Sequence, residues 1–319
     1  MQFSTQVPIG NHPNPIDYNS KIVSLGSCFA ENMGEKFAYF KFQSNVNPFG
    51  IIFNPISIEN SIRRAIDKTI FTEKDIFLHN DLWHSFEVHS ELSHSDKEAL
   101  LINLNNTLES TRQQIVDSTH IIITLGTAWV YKNIESDSIV TNCHKVPQKQ
   151  FTKELLSVET IQKSLNHIID LVASVNKETN ILFTISPVRH IKDGFVENQR
   201  SKSHLITALH NVLKADVTLS LSKGYFPSYE IMMDELRDYR FYNQDMLHPN
   251  QVAIDYIWKR FSETTIAKEA FSTMEEVDSV QKSLQHRPFN PNSESHQKFL
   301  DHLNQKINKL ALQFPNIKF

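Results

Sequence analysis

Glycine is unusually scarce in this chain, with 7 residues among 319, about a third of the average usage of ~7%. Because glycine permits backbone conformations that a side chain forbids, each of these positions is expected to have a backbone function. Cysteine is scarcer still. Cys28 and Cys143 alone cannot build a disulfide framework, and no paired Cys-x-x-Cys pattern of a structural zinc site is present. We therefore expect free thiols, no metal site and no cofactor.

An excess of positive charge and long apolar runs are also missing. The formal net charge is -4 and no block of Lys or Arg stands out, so the basic footprint of a nucleic-acid-binding protein is absent. No stretch approaches the ~18 apolar residues of a membrane span, and the first residues lack the pattern of a secretory signal. These absences predict a cytoplasmic protein whose partners include neither nucleic acid nor membrane.

Short apolar runs alternate with amphipathic stretches along the chain. The runs 120–125 and 180–185 are continuous and apolar, which is typical of strands buried on both faces. The stretch 157–175 places apolar residues at helical spacing. Strands that alternate with helices predict an α/β fold, a three-layer α/β/α sandwich with a central, mostly parallel sheet. Ligands of such folds bind at the carboxyl ends of the strands.

Composition divides the chain into three regions. Residues 1–20 are rich in Pro and Asn and are predicted to be an extended lead-in. Residues 21–262 form the predicted α/β/α domain. Within it, we expect 70–95 to be irregular and the four histidines of that segment not to bind metal. Residues 263–319 are predicted to form a helical extension. Its amphipathic end packs on the domain or on a second copy, which permits a homodimer.

One predicted strand-to-helix junction carries two candidate nucleophiles. Gly26, Ser27 and Cys28 follow the β-prone run 22–25, and Phe29, Met33 and Phe37 then repeat at helical spacing. A side chain on the first helical turn lies at the positive end of the helix dipole, which favours a thiolate or a developing oxyanion. In the alternative interpretation, Gly26 only closes a tight turn and Cys28 is a small buried apolar residue.

Three further segments are expected to meet this junction at one edge of the sheet. Gly50 and Gly126 also follow predicted strands, and Asp245 and His248 lie just before the last helix of the domain. The three-residue spacing lets the carboxylate orient the imidazole while the other ring nitrogen faces a nucleophile. The order nucleophile, Asp, His is found in several hydrolase folds.

Five segments in order resemble the GSCFA domain family: Leu25 to Ala30, Asn47-Pro48-Phe49-Gly50, Leu125-Gly126-Thr127-Ala128, Ser186 to His190, and Asp245 to His248. The resemblance covers most of residues 20–262. That family is grouped with the SGNH, or GDSL-like, hydrolases, which include esterases, lipases and acyl-transfer enzymes on a flavodoxin-like α/β/α fold. The resemblance therefore implies this fold and acyl chemistry.

The resemblance also assigns catalytic roles. The Gly-Asp-Ser of SGNH enzymes, laid over Gly26-Ser27-Cys28, puts Cys28 at the position of the nucleophile and Ser27 at that of the aspartate. A register slipped by one residue makes Ser27 the nucleophile. The fourth block matches without alteration, so His248 is implied as the general base and Asp245 as the carboxylate that holds it.

The residues that bind the oxyanion are less regular. Gly50 matches the second block, whose glycine N–H helps to bind the oxyanion. The third block, normally Gly-x-Asn, here has Gly126-Thr127-Ala128 and lacks the side-chain amide. Loss of one such donor typically costs roughly 100- to 1,000-fold in turnover. Either Thr127, Asn47 or Asn142 replaces it, or the chemistry is not ordinary ester hydrolysis.

The candidate substrate-binding residues are Arg189, His190 and Gly126, of which the first two follow the predicted strand 180–185. With the nearby cations Lys192, Arg200 and Lys202 they could bind a carboxylate or phosphate; solvated surface charge is the alternative. Cys143 and His144 are a second thiol–imidazole pair, but as neighbours on a strand they would face opposite sides. Four aromatic residues within 225–242 either pack beneath a loop or line an acyl or sugar pocket.

Together these patterns predict an SGNH-like enzyme with a Cys/Ser-His-Asp arrangement. It would hydrolyse, or transfer the acyl group of, a small or carbohydrate-linked ester, without a metal. A cysteine nucleophile favours acyl transfer or thioester chemistry, because thioesters exchange readily with thiols. The alternative is a binding module that keeps the fold and cleft but has lost turnover, which the altered first and third blocks suggest.

Overall fold

Strands and helices alternate along the chain, as the apolar pattern predicts. The computed structural model describes residues 5–214 and 221–319. In chain order the strands are β1 (Lys21–Gly26), β2 (Gln43–Val46), β3 (Phe77–His79), β4 (Leu82–His84), β5 (His120–Leu125), β6 (Trp129–Asn133), β7 (Ser138–Val140), β8 (Phe151–Leu155), β9 (Asn180–Ile185) and β10 (Lys223–Phe226). The helices are α1 (Cys28–Tyr39), α2 (Pro55–Ile66), α3 (Lys97–Asp117), α4 (Val158–Val175), α5 (Phe195–Lys214), α6 (Ser228–Glu230), α7 (Gln251–Thr265), α8 (Ala270–Gln285) and α9 (Glu294–Gln313).

Five of these strands form a parallel sheet in the order β10-β9-β5-β1-β2. Counted along the chain among themselves, they follow the flavodoxin-like order 2-1-3-4-5. In such a sheet the chain reverses its direction of winding between the first and third strands, and ligands bind outside their carboxyl ends. Here those strands are β1 and β5, which pair from Ile22 opposite His120 to Gly26 opposite Thr124. The predicted α/β architecture is confirmed.

Each face of the sheet is covered by helices. In β5 every residue is buried, and alternate side chains enter different cores. Ile121 and Ile123 pack against helices α2 to α5, whereas Ile122 packs with α1, α7 and α8. This accounts for the continuous apolar run, because a strand covered on both faces has no side that can be polar. The sheet therefore lies between two layers of helices, with one core on each of its faces.

Side-chain caps define where the principal helices begin. Ser27 caps α1, Asn54 caps α2 with Pro55 in the first turn, and Asp96, Ser157 and Asn250 cap α3, α4 and α7. Each cap accepts a hydrogen bond from a backbone N–H that has no partner within the helix and stabilises it by about 1 kcal/mol.

Two small antiparallel units differ from the sequence predictions. Part of 70–95, expected to be irregular, forms the hairpin β3–β4, whose turn residues Asn80 and Asp81 both have positive φ. A second sheet has the order β7-β6-β8. The expectation that Cys143 and His144 lie on a strand is wrong: they follow β7 in a turn, and His144 has φ +49°. Strands of three to five mixed residues leave little periodicity to detect.

The lead-in and the C-terminal helices pack on the same face of the sheet. Ile16 is fully buried and pairs with Ile266, and the Ala267 N–H donates to its carbonyl at 2.8 Å. Leu303 and Leu310 of α9 are buried in the same core. None of the helices within the described ranges is long and apolar enough to cross a membrane.

Candidate functional site

Gly26 forms the junction between β1 and α1. Its φ is +142°, and a Cβ there would lie 2.2 Å from the carbonyl oxygen of Thr124 on the neighbouring strand. No other residue fits this position without displacing backbone. The next N–H, that of Ser27, donates to the same Thr124 carbonyl at 3.1 Å. The glycine thus lets the chain turn from the sheet into α1 directly beside β5.

The two candidate nucleophiles have different surroundings. Ser27 is completely buried, and its hydroxyl accepts a hydrogen bond from the Phe29 N–H at 3.3 Å as the cap of α1. Cys28 is the first residue of α1 and is only partly buried. Of the two, the thiol is therefore the group that a substrate could reach, whereas the hydroxyl is committed to the helix end.

The Cys28 thiol has opposing electrostatic influences. Burial and the nearby Glu31 carboxylate raise its pKa, whereas the backbone N–H groups of Cys28 and Phe29 and the cation of Lys202 lower it. The balance leaves the pKa above its ordinary value. The sulfur is therefore protonated at neutral pH, and a nucleophilic role requires a base that removes its proton.

Asp245 and His248 form a hydrogen-bonded pair in the loop before α7. One Asp245 carboxylate oxygen accepts from the Leu247 and His248 N–H groups at 2.9 and 3.0 Å, and the other lies 2.6 Å from His248 Nδ1. These three donors lower the pKa of Asp245 to about 2. Since the carboxylate can only accept, Nδ1 carries the proton and Nε2 is left as the basic nitrogen.

One backbone contact joins this loop to the sheet. The N–H of Arg189, in the segment after β9, donates to the Leu247 carbonyl at 3.2 Å. The pair itself remains half exposed, with side-chain exposures of 44% for Asp245 and 43% for His248. Asp245 and His248 thus form a hydrogen-bonded unit that is open to solvent and is joined to the segment after β9.

Lys202 is buried, whereas the sequence suggested either an anion-binding cation or a solvated surface charge. It is 1% exposed, and its Nζ donates to the carbonyls of Gly126 and Ser186 at 2.8 and 2.7 Å. These carbonyls immediately follow β5 and β9, so the amine joins two loops of the site. Burial lowers its pKa to about 7. Helical spacing could have predicted this burial, because Lys202 lies on the same face of α5 as the buried residues Leu205 and Leu209.

His190 lies between Lys202 and the acid–base pair. Burial, the Lys202 cation and the His248 ring lower its pKa to about 3, so the ring is neutral. The ring packs on Phe53 at 5.4 Å, and its buried Nε2 finds no hydrogen-bond partner among the described residues. A Cβ on Gly126 would lie 3.1 Å from that nitrogen. The absence of a side chain at Gly126 therefore makes room for His190 and Phe53.

The residues predicted to bind the oxyanion are largely engaged elsewhere. Gly50, with φ +75°, donates its N–H to the Asn47 carbonyl at 2.7 Å. Asn47 accepts from the Gly26 N–H at 2.8 Å through its side chain, and its amide nitrogen lies 3.4 Å from Glu31. Thr127 is buried, and its hydroxyl pairs with Ser201 at 2.8 Å. These contacts hold the loops together and give no support to an oxyanion role for the Gly50 N–H or the Thr127 hydroxyl.

Arg189 does not extend into solvent. Its guanidinium lies over the rings of Tyr242 and Tyr239, at 4.5 and 5.1 Å from their centres. Two of the aromatic residues of 225–242 thus hold Arg189 by cation–π contacts. Arg189 and the two tyrosines, together with Met232, border a small cavity of about 160 Å³.

Asn142 was the remaining candidate for the missing oxyanion amide. Its side-chain oxygen accepts a hydrogen bond from the His144 N–H at 2.8 Å.

One solved structure similar to this chain is the crystal structure of a carbohydrate esterase family 3 from Talaromyces cellulolyticus, with 7% identity and a TM-score of 0.35. The alignment covers 81% of this chain and 99% of that one. No curated protein matches the sequence. The model of the GSCFA family matches residues 21–261, and that of the GSCFA domain protein, C-terminal domain, matches residues 277–319. The chain therefore belongs to the GSCFA family.

Proposed function

We propose that this protein is a cysteine-dependent acyl hydrolase or acyltransferase in which Cys28 is the nucleophile. The observation that carries the proposal is the Asp245–His248 pair, joined at 2.6 Å. A partly exposed thiol, that of Cys28 at the start of α1, supports it. A neutral histidine whose Nδ1–H is held by a carboxylate, and whose Nε2 is unprotonated, is the base that a protonated thiol needs. Ser27 is a weaker choice because its hydroxyl is buried within the cap.

The first half of the reaction forms a thioester. His248 Nε2 removes the thiol proton while the Cys28 sulfur attacks the ester carbonyl, and Asp245 stabilises the imidazolium that results. The tetrahedral intermediate collapses, the bond to the alcohol oxygen breaks, and His248 returns its proton to that oxygen. The acyl group is left on sulfur as a thioester. In the second half, His248 activates water or an acceptor hydroxyl or thiol, which takes the acyl group and restores the thiol.

Two features favour charge separation at this site. The first-turn N–H groups of α1 lie at the positive end of its dipole, beside the sulfur. The Lys202 cation, fixed on the Gly126 and Ser186 carbonyls, lowers the pKa of the thiol. We assign to Lys202 a positioning role: it holds the loops after β5 and β9 in place and favours negative charge on Cys28.

The substrate in this proposal is a small or carbohydrate-linked acyl ester. A thiol nucleophile favours transfer over hydrolysis, since a thioester is readily attacked by a second thiol or amine. Neither direction requires a redox step or an added cofactor to balance the reaction.

The test measures acyl-enzyme formation directly. The protein is mixed with short-chain aryl esters and aryl thioesters, and the released phenol or thiol and the mass of the protein are followed. We expect one acyl group on Cys28 and no adduct in Cys28→Ala. In His248→Ala we expect turnover to be lost, whether or not the acyl-enzyme still accumulates. Cys143→Ala is the matched control and should behave as wild type. An active Cys28→Ala variant together with an inactive Ser27→Ala variant would show that Ser27 is the nucleophile.

A binding module without turnover is the second candidate function. It is favoured by the pairing of the Gly50 N–H and the Thr127 hydroxyl within the protein, because an acyl-transfer enzyme needs donors directed at the developing oxyanion. Under this alternative no acyl donor yields an adduct, and the Cys28, Ser27 and His248 variants all match wild type.

A further inference from the structure

A cavity of about 400 Å³ lies beside the candidate site, and we name it the side pocket. Its apolar wall includes Ile51, Phe53, Val140 and Phe151, and its polar side includes Lys145 and Lys192. This volume is in the range of small-molecule sites, which run from ~300 to 1,000 Å³. An apolar wall with a few converging polar groups is the usual composition of such sites.

The segment 51–53 connects the side pocket to the candidate site. Ile52 is buried in the core and donates its N–H to the Gly26 carbonyl at 3.1 Å, two residues before Cys28. Its neighbours Ile51 and Phe53 line the pocket. The Phe53 carbonyl accepts from the Gly126 N–H at 2.7 Å, and the Phe53 ring lies against His190. A ligand in the side pocket therefore touches the residues that form the edge of the site.

The charges around the side pocket have one sign. Lys145 and Lys192 are exposed, and neither forms an ion pair within the part of the chain that the structure describes. No Asp or Glu is among the described residues that line the cavity. Asp193, next to Lys192 in the chain, pairs with Lys153. Two free ammonium groups over an apolar wall fit a ligand with an apolar body and an anionic end.

We propose that the side pocket binds the part of the substrate remote from the reacting carbonyl, and that this part is a short apolar body ending in a carboxylate or phosphate. The apolar body lies against Ile51 and Phe53, and Lys145 and Lys192 bind the anionic end. The catalytic part of this inference rests on the proposed function. The existence of an anion-binding pocket does not, and it can be tested without turnover.

Cys143 is a natural reporter, because it also lines the side pocket. The chain has two cysteines, so Cys28→Ser leaves Cys143 as the single thiol. In this background we would measure the rate of alkylation of Cys143 by iodoacetamide, a neutral reagent, with hexanoate, hexyl phosphate or hexanol present. We expect the two anions to slow alkylation at least threefold at saturation, and hexanol to have much less effect.

Lysine variants then identify the binding groups. Lys145→Gln and Lys192→Gln should each raise the probe concentration needed for half-maximal protection by about tenfold, as expected for the loss of one charge-assisted hydrogen bond. Lys149→Gln, an exposed lysine outside the pocket lining, is the matched control. Burial raises the pKa of the Cys143 thiol, and Lys192 partly offsets that rise. Each variant is therefore compared with and without probe, not with wild type directly.

The outcomes separate the two proposals. Protection by hexanoate alone or by hexyl phosphate alone supports the pocket and distinguishes an acid from a phosphate ester. Equal protection by hexanol, absence of protection, or protection that survives in the double lysine variant overturns it. Since Cys28 is absent from this experiment, a failure of the acyl chemistry cannot imitate any of these results. If the acyl chemistry holds, the lysine variants should raise KM for aryl hemisuccinate and leave KM for aryl acetate unchanged.

Discussion

The two halves of the candidate site are held in different ways. On the Cys28 side, Gly26 and Ser27 are buried and bond to Asn47, Ile52 and Thr124. On the Asp245–His248 side, the side chains are half exposed and the hydrogen bonds are mostly within one short loop. The proposed nucleophile is thus positioned by the sheet, and the proposed base by local contacts. Substitution of Gly26 or Ser27 should therefore reduce stability, whereas substitution of His248 should reduce activity alone.

The largest effect is expected from His248→Ala. Loss of the base should lower the rate of acyl transfer by about 10³-fold or more, because the thiol then stays protonated. The free energy of unfolding should change by less than about 1 kcal/mol, since the pair is exposed. Rates with aryl thioesters and urea unfolding measure the two quantities. Gln244→Ala, an exposed neighbour in the same loop, is the control; an equal loss of stability and activity would contradict the contrast.

Gly26→Ala tests the other half. A Cβ at 2.2 Å from a backbone oxygen, with φ at +142°, should reduce the free energy of unfolding by about 3 kcal/mol or more. Gly10→Ala is the matched control, since nothing lies within 4 Å of a Cβ there. Urea unfolding of the two variants decides the matter. Similar midpoints would mean that the junction tolerates movement and does not rigidly position Cys28.

Lys202 should make stability depend on pH. Its pKa is lowered to about 7 in the folded protein from 10.5, so between these values the unfolded chain binds one more proton than the native one. Stability from this group therefore rises with pH, by about 1.4 kcal/mol per unit between pH 7.5 and 9.5. Below about pH 7 the gain is absent. Lys202→Met should be less stable overall, because two carbonyls lose a donor, yet it should lack this slope in urea unfolding.

The smallest effect is expected from Ser27→Ala. Removal of the cap should destabilise α1 by about 1 kcal/mol, with acyl transfer per folded molecule close to wild type. Cys28→Ala should do the reverse, retaining stability and losing the acyl adduct. Thermal unfolding and mass spectrometry of both variants compare the two residues. A fully stable but inactive Ser27→Ala variant would move the nucleophile to the hydroxyl.

Local patterns predicted most of the principal elements. The continuous apolar runs of β5 and β9, the helical spacing of α4 and the glycine at the end of β1 all depend on near neighbours in the chain. The Asp245–His248 pair was also predictable, because two residues only three positions apart can contact each other whatever surrounds them. By contrast, β6 to β8 are short and mixed, and they exist because they pair with one another.

The sequence by itself determined the strands and helices of the layered fold, the junction that presents Cys28 and the Asp245–His248 pair, since each depends on residues close together in the chain. Only the tertiary structure decided what the remaining polar groups do. In the folded chain, Lys202 is buried and donates to two carbonyls, and Arg189 packs against two tyrosines. Thr127 bonds to Ser201, and Lys145 and Lys192 line a partly apolar cavity. The physical reason is that a polar side chain takes whichever partner the fold brings within hydrogen-bond distance, and those partners are distant in sequence.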